Sequence, residues 1–241
     1  MDNSTTTTAL VTGANKGLGR ETVSRLAGLG WRVFLAARDA DRGKTAVADL
    51  TDAGLNVEFV HLDVTSVDSI AAAVEAVGQR TGQLDVLVNN AGIGGTRKLP
   101  PETTAADLRE VFETNVFGAV AVTNAFLPLL RAATRPRIVM VSSGIGSLAR
   151  TSDPARIEST LLGLPYPSSK TALNMITSMY SRALPDIRIN AADPGYTATD
   201  LNNNSGHQTV TEGTDAIVRL ASIEPDGPTG GFFDRFGPVP W

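Results

Sequence analysis

The chain has 241 residues, 42% hydrophobic and 19% charged, with a formal net charge of −4. That balance excludes a disordered or fibrous chain, and mild acidity without a basic cluster argues against nucleic acid or an anionic membrane surface as a partner. Cysteine is absent, which excludes a disulfide framework, a thiol nucleophile and a thiolate metal site.

His61 and His207 lie in no ligand-like cluster and read as ordinary polar residues, so no metal site is expected. The opening "MDNSTTTT" is polar, with neither a basic n-region nor an apolar h-region, so residues 1–8 are expected to be a disordered tail. Cytoplasmic residence follows by default. From Ala9 onward, short apolar β-branched runs alternate with longer amphipathic ones, the pattern of repeated βαβ units around a parallel sheet. The strand candidates are "ALVTGA" (9–14), "RVFLAAR" (32–38), "VEFVHLD" (57–63), "LDVLVNNAG" (84–92), "RIVMVSS" (137–143), "IRINAADPG" (187–195) and "GGFFDR" (230–235). Helices are expected near 17–29, 40–53, 66–81, 104–131, 167–183 and 210–222. Near-continuous apolar strands require helices on both faces of the sheet. No linker or repeat divides the chain, so residues 9–241 read as a single domain with a mostly parallel seven-stranded sheet. The irregular stretch 144–166 is longer than a usual loop, and such loops are more often functional than idle.

The first strand runs into "TGANKGLGR", with Gly13, Gly17 and Gly19 ahead of an amphipathic helix. Glycines there allow a tight turn and close backbone approach to a pyrophosphate, and the helix N-terminus faces the anion. The second strand ends in Ala37 where a ribose-diol binder would carry an acid; Arg38 follows, with Arg42 one helical turn later and Lys16 in the glycine loop. Three cations could converge on a 2′-phosphate, which points to NADP(H) over NAD. Asp39 could take a ribose hydroxyl, and reads equally well as a helix N-cap. Asp63, Asn89 and Asn90 stand at carboxyl ends of later strands, where open α/β sheets bind ligands.

In "LPYPSSK", Tyr166 and Lys170 lie four apart, a spacing that by itself suits a surface pair at a helix start. Pro167 is expected to push Tyr166 out of helical geometry and make it the N-cap, with Lys170 within the first turn beyond it.

Taken together, "TGANKGLG", "NNAG", Asn115 in "ETNVFG", Ser143, "YPSSK" and "DPGYTATD" resemble the short-chain dehydrogenase/reductase family. The glycine loop, "ARDADRG" and "GGFFDRFGPVPW" are most similar to its carbonyl-reductase-like branch. The resemblance spans Ala9 to the end and implies a Rossmann-type doubly wound domain. It implies Tyr166 as proton donor, Lys170 as the group that lowers its pKa and holds the nicotinamide ribose, Ser143 as the residue steadying the carbonyl oxygen, and Asn115 in a water-linked proton path to Lys170. The cofactor contacts it implies are Gly13, Asn15, Lys16, Gly17, Leu18, Gly19, Arg38, Arg42, Asp63, Val64, Asn90, Ala91, Gly92, Tyr166, Lys170, Pro194, Gly195, Thr197 and Thr199. Thr197 would meet the carboxamide through its backbone, and Thr199 the pyrophosphate. Bringing a phenol from a pKa of about 10 to near 7 takes roughly 4 kcal/mol, which an ammonium at about 4 Å in an effective dielectric near 20 supplies.

The expected activity is NADPH-dependent, reversible reduction of small ketones and aldehydes. A 3-oxoacyl-thioester reductase and a catalytically idle NADP(H)-binding sensor are the alternatives. Residues 144–166 resemble an insertion that covers a tetramer face, leaving monomer or homodimer open. The polar stretch from about 197 to 210 is expected to be a mobile substrate lid.

Overall fold

The computed structural model describes residues 6–241. Five strands, β1 (Thr8–Thr12), β2 (Arg32–Ala37), β3 (Val57–His61), β4 (Val86–Asn89) and β5 (Arg137–Val141), are followed by β6 (Arg188–Ala192), β7 (Phe232–Asp234) and β8 (Gly237–Pro238). They form one sheet in the order β3-β2-β1-β4-β5-β6-β7-β8, parallel except for the β7–β8 hairpin. The expected sheet thus gains an eighth strand of two residues. Its turn closes because Asp234 Oδ1 accepts the amides of Phe236 and Gly237 at 2.8 and 3.0 Å.

Side chains alternate across each strand, so β1 sends Ala9 and Val11 to one core and Leu10 to the other. The first core is closed by α1 (Gly17–Gly28), α2 (Ala40–Asp52) and α9 (Asp215–Ala221), through Val23, Leu26, Leu50, Ile217 and Leu220. The second is closed by α3 (Val67–Thr81), α5 (Ala119–Arg131) and α7 (Pro165–Ala183), through Ile70, Val77, Phe126, Leu130 and Leu173. Full burial of each such side chain contributes about 1.5–3 kcal/mol, which explains why β1, β4 and β5 read as unbroken apolar runs.

Four boundaries differ from expectation. Residues 1–5 of the expected tail lie outside the described residues, but Thr8 belongs to β1: it pairs with Arg32, and its N and Oγ1 donate to Asp85 Oδ2 at 2.8 and 2.9 Å. The helix expected over 104–131 is α4 (Ala105–Phe112), a π-helical turn Glu113–Gly118, and α5. Gly118 lies against Val64, where a Cβ would stand 2.8 Å from Val64 Cγ2, and the π turn carries Asn115 at that close approach. The stretch 144–166 contains 3₁₀ turns at Gly144–Gly146 and Ile157–Thr160, and a short α6 (Leu148–Thr151) capped by Ser147.

Fourth, Tyr166 is not the N-cap of α7. Leu164 is, with Pro165 in the first helical position and Tyr166 inside the first turn. A proline at the third helical position lacks only an N–H that the first turn leaves unpaired, so the steric bias on the preceding residue is overridden.

The segment 197–210 carries contacts of its own. Thr197 bridges Gln208, Asn202 Nδ2 donates to Thr197 O at 2.9 Å, and Asn203 and Asn204 adopt left-handed backbone at φ 55° and 58°. It continues into α8 (Val210–Gly213).

Candidate active site

The sheet order reverses between β1 and β4, and a cleft opens there outside the strand carboxyl ends. Its volume is about 660 Å³, within the range of small-molecule sites. Gly13, Asn15, Lys16, Gly17, Leu18, Gly19, Arg38, Asp63, Val64, Asn90, Ala91, Gly92, Tyr166, Lys170, Pro194 and Thr199 line it, so most of the residues picked out in the sequence converge on one wall. Arg42, Asn115, Ser143, Gly195 and Thr197 are not part of that lining.

At one end the main chain does the shaping. Gly13 holds φ +62°, and a Cβ on it would stand 2.8 Å from Ala91 Cα; one on Gly19 would stand 2.7 Å from Gly13 O. Asn90 pins this loop from β4: Nδ2 donates to Thr12 O at 2.8 Å and to Gly13 O at 3.2 Å. The amides of Asn90 and Ala91 both donate to Thr12 Oγ1 at 3.0 Å. Asn89, by contrast, faces the core and donates to Thr123 Oγ1 at 2.9 Å. The first turn of α1 has no side-chain cap and no acidic residue, which leaves its amides and the positive end of the helix dipole facing the cleft. These features fit the pyrophosphate of a dinucleotide, because only a loop without Cβ atoms lets phosphate oxygens come that close to the backbone.

Of the three expected cations, two line the cleft and the third, Arg42, acts on the same Asp200 carboxylate as Lys16. Arg38 and Lys16 line the cleft, Lys16 Nζ pairing with Asp200 Oδ2 at 2.7 Å across to the 197–210 segment. Arg42 also pairs with Asp39 at 3.3 Å, and Asp39 is the N-cap of α2, its side chain accepting from Arg42 N. Asp63 accepts from Thr65 N and Oγ1 at 2.9 and 2.7 Å; the Thr65 backbone bond is the main reason its carboxyl sits below the usual range.

At the other end buried side chains dominate. Ser143 stands close enough to Tyr166 to favour its ionised form, while Ser142 Oγ is engaged with Asn174 Oδ1 and faces inward. Lys170, 4% exposed, donates from Nζ to Val141 O at 2.8 Å and lies 5.5 Å from the centre of the Tyr166 ring. Burial pushes Lys170 down to about 8. Burial also pushes Tyr166 up to about 12, against the effect of Ser143 and with the help of Asp193. Lys170 thus lies over the ring with its ammonium bonded to Val141 O, and in the free protein the loss of water around the phenol dominates its proton affinity.

Asn115 is held by Ile93: Oδ1 accepts from Ile93 N at 2.8 Å and Nδ2 donates to Ile93 O at 3.0 Å. Its Nδ2 also donates to Ser169 Oγ at 3.0 Å. Oδ1 of Asn115 and Nζ of Lys170 both lie within 3.6 Å of the point beside Gly92 where a Cβ would stand. Gly195, at φ +68°, and Thr197 shape the turn after β6; Thr197 N donates to Gly195 O at 3.0 Å and its Oγ1 to Pro194 O at 2.9 Å.

Ile93, Gly94, Gly95, Leu201 and Asn204 also line the cleft, and none was singled out in the sequence. The run "GIGG" after "NNA" was the available signal for the first three.

A doubly wound sheet with a glycine-bearing phosphate loop and a Ser-Tyr-Lys group at one switch point defines a dinucleotide-dependent oxidoreductase class. The family model for short chain dehydrogenases matches residues 7–210, and the chain belongs to that family. It is 35% identical to a short-chain dehydrogenase/reductase of Saponaria officinalis, over 94% of this chain and 93% of that protein. It is 32% identical to the (+)-neomenthol dehydrogenase of Capsicum annuum, over 98% of each. Among solved structures it resembles the NADPH-bound carbonyl reductase from chicken fatty liver, with a TM-score of 0.87, 30% identity, and coverage of 98% of this chain and 99% of that one. Among the described residues no helix is long and apolar enough to cross a membrane.

Proposed function

We propose that the protein reduces small ketones and aldehydes to alcohols with NADPH. The observation that carries this reading is Tyr166, with Lys170 over its ring and Ser143 beside it, on the wall of the same cleft as the glycine loop. When bound, a reduced nicotinamide supplies the hydride that the carbonyl carbon receives.

The chain's own groups supply the rest. Ser143 and Tyr166 offer two hydroxyls to one carbonyl oxygen, and Tyr166 gives it the proton that completes the alcohol. A phenol whose proton affinity is raised to about 12 stays protonated throughout the neutral range, the state a donor needs. Lys170 stands where it can return a proton toward Tyr166, and below about pH 8 it carries the charge that favours the resulting phenolate. Asn115 acts by holding the Ile93 peptide in place, with Oδ1 and Lys170 Nζ both bordering the space beside Gly92.

Ile93, Gly94, Gly95 and Leu201 offer the substrate an apolar wall, which suits apolar or aromatic carbonyl compounds. The 197–210 segment acts as the cover of this end, anchored to the glycine loop through Asp200 and Lys16. NADPH is preferred to NADH because Arg38 and Lys16 line the cleft where a 2′-phosphate would add negative charge, and the acid next to Arg38 in sequence, Asp39, is tied up as a helix cap. The chicken carbonyl reductase, bound to NADPH, is consistent with that preference.

The test is loss of reduced-nicotinamide absorbance with NADPH and NADH in parallel, over aryl ketones, α-diketones, β-ketoesters and acyl-thioester mimics, with Tyr166→Phe as control. Turnover of ketones with NADPH that disappears in the variant supports the proposal. A clear preference for thioester mimics, or no turnover of any carbonyl despite NADPH binding, contradicts it.

A further inference from the structure

Behind the chemical end of the cleft stands a buried ion network that the reaction as described does not use. Its centre is Arg150 in α6, 8% exposed. Nη1 donates to Asp193 Oδ2 at 2.7 Å and reaches Glu158 Oε1 at 3.5 Å, while Nη2 donates to Asp234 Oδ2 at 2.6 Å. Nε is buried with no partner among the described residues, so carboxylates alone hold the guanidinium.

Asp193 directly follows β6, is 3% exposed, and does more than pair with Arg150. Its Oδ1 accepts the amide of Gly195 at 2.9 Å, and its Oδ2 lies against Gly144, whose backbone favours the ionised carboxylate. Gly144 follows Ser143, which stands beside Tyr166; Gly195 follows Pro194, which lines the cleft. One carboxylate therefore ties together two turns of the active site. The fit is tight: a Cβ on Gly144 would stand 2.8 Å from Asp193 Oδ2, 2.9 Å from Arg150 Nη1 and 3.0 Å from Glu158 Oε1.

The network is anchored from outside the site. Ala149 N donates to Trp241 O at 3.0 Å and Ser147 Oγ to Pro240 O at 2.6 Å, so α6 is fastened to the end of the chain. Asp234 belongs to β7 and closes the β7–β8 turn. We propose that the Arg150–Asp193 pair is a positioning element of the active site: it holds the Ser143–Gly144 and Pro194–Gly195 turns in register around Tyr166, buttressed by α6 and the C-terminal hairpin.

The charges have a consequence of their own. Tyr166 faces Lys170 on its own helix, Ser143 after β5, and Asp193 after β6, whose negative charge strengthens the phenol's hold on its proton. Arg150 counters Asp193, and is shared with Asp234 on β7 and with Glu158, itself paired with Arg156 at 3.2 Å. Three carboxylates thus face two guanidinium groups, and removing Arg150 leaves Asp193 without its cation.

The test compares Asp193→Asn, Arg150→Met and Arg150→Lys with the unaltered protein by two readouts. The first is amide hydrogen exchange at Gly144 and Gly195 in the free protein, which does not depend on the reaction performed. Both amides should exchange at least about tenfold faster in Arg150→Met while the β1 amides keep their protection. Unchanged exchange at both overturns the proposal. If Arg150→Met does not fold, Arg150→Lys decides: it keeps the charge and loses the two-pronged geometry, so the same two amides should open within an intact fold.

The second readout rests on the proposed function and is the pH dependence of turnover. The basic limb should move to lower pH in Asp193→Asn and to higher pH in Arg150→Met, opposite directions that a merely weakened fold does not produce. Shifts in one direction, or none, contradict the charge relation. Tyr166→Phe separates the two ideas: if it turns over like the unaltered protein, the proton-donor reading fails, and amide exchange still decides the positioning role.

Discussion

The two ends of the cleft are built by different means. At the phosphate end the working parts are main-chain groups, kept accessible by glycines whose Cβ atoms would collide with Ala91 and Gly13, and the only nearby charges are at the surface. At the chemical end the working parts are side chains taken out of water, with Lys170 pushed down to about 8 and Tyr166 up to about 12. The first is specified by conformation and the second by desolvation. Substitutions should therefore fail differently at the two ends: by misfolding or lost binding at one, by lost chemistry on an intact fold at the other.

The largest effect is expected from Tyr166→Phe. Turnover should fall on the order of a thousandfold, the scale of a lost proton donor, with the melting temperature unchanged or raised. A comparable loss of folded protein would erase the distinction between the ends.

Lys170→Met should sharpen it. A buried lysine with a depressed folded-state pKa adds full stability only above its unfolded value of 10.5, and that contribution is lost as pH falls through about 8. At pH 7 the ammonium thus weakens the free protein. Replacing it should raise unfolding free energy by about 2 kcal/mol, after loss of the bond to Val141 O, and the gain should vanish above pH 10.5. Denaturant titrations at pH 7 and 10.5 measure this, while turnover at pH 7 should be abolished.

Gly13→Ala is the counterpart. Left-handed backbone and contact with Ala91 should together cost about 2 kcal/mol of stability and displace the loop, so that NADPH affinity and melting temperature fall together. The smallest effect is expected from Arg38→Asp, which should weaken NADPH about tenfold and leave NADH nearly unchanged. Equal losses for both would remove Arg38 from the 2′-phosphate site.

The difference in construction also explains what could be read beforehand. The sheet and the glycine loop were legible because unbroken apolar strands and glycine spacing are written in residue types, and β1 to β6 lie where those patterns put them. Tyr166, Lys170 and Ser143 were found by motif, yet their electrostatics were not, since burial depends on what packs around them. The N-cap expected at Tyr166 failed because a proline at the third helical position can be accommodated there. The π turn at Asn115 left no mark in the amphipathic pattern; it ends at Gly118, which packs on Val64, distant in sequence. The same holds for Arg150 and Asp193, which are 43 positions apart. Lys16 and Arg42 were assigned by charge alone, and charge does not reveal that Asp200 and Asp39 stand beside them.

The most direct measurement is a fluorescence titration of NADPH into Tyr166→Phe and the unaltered protein, with turnover of one aryl ketone followed on the same samples. Division of the cleft into a conformational phosphate end and a desolvated chemical end predicts matching dissociation constants and a turnover lost in the variant. A dissociation constant that weakens in proportion to turnover would contradict it, because Tyr166 would then belong to the binding end.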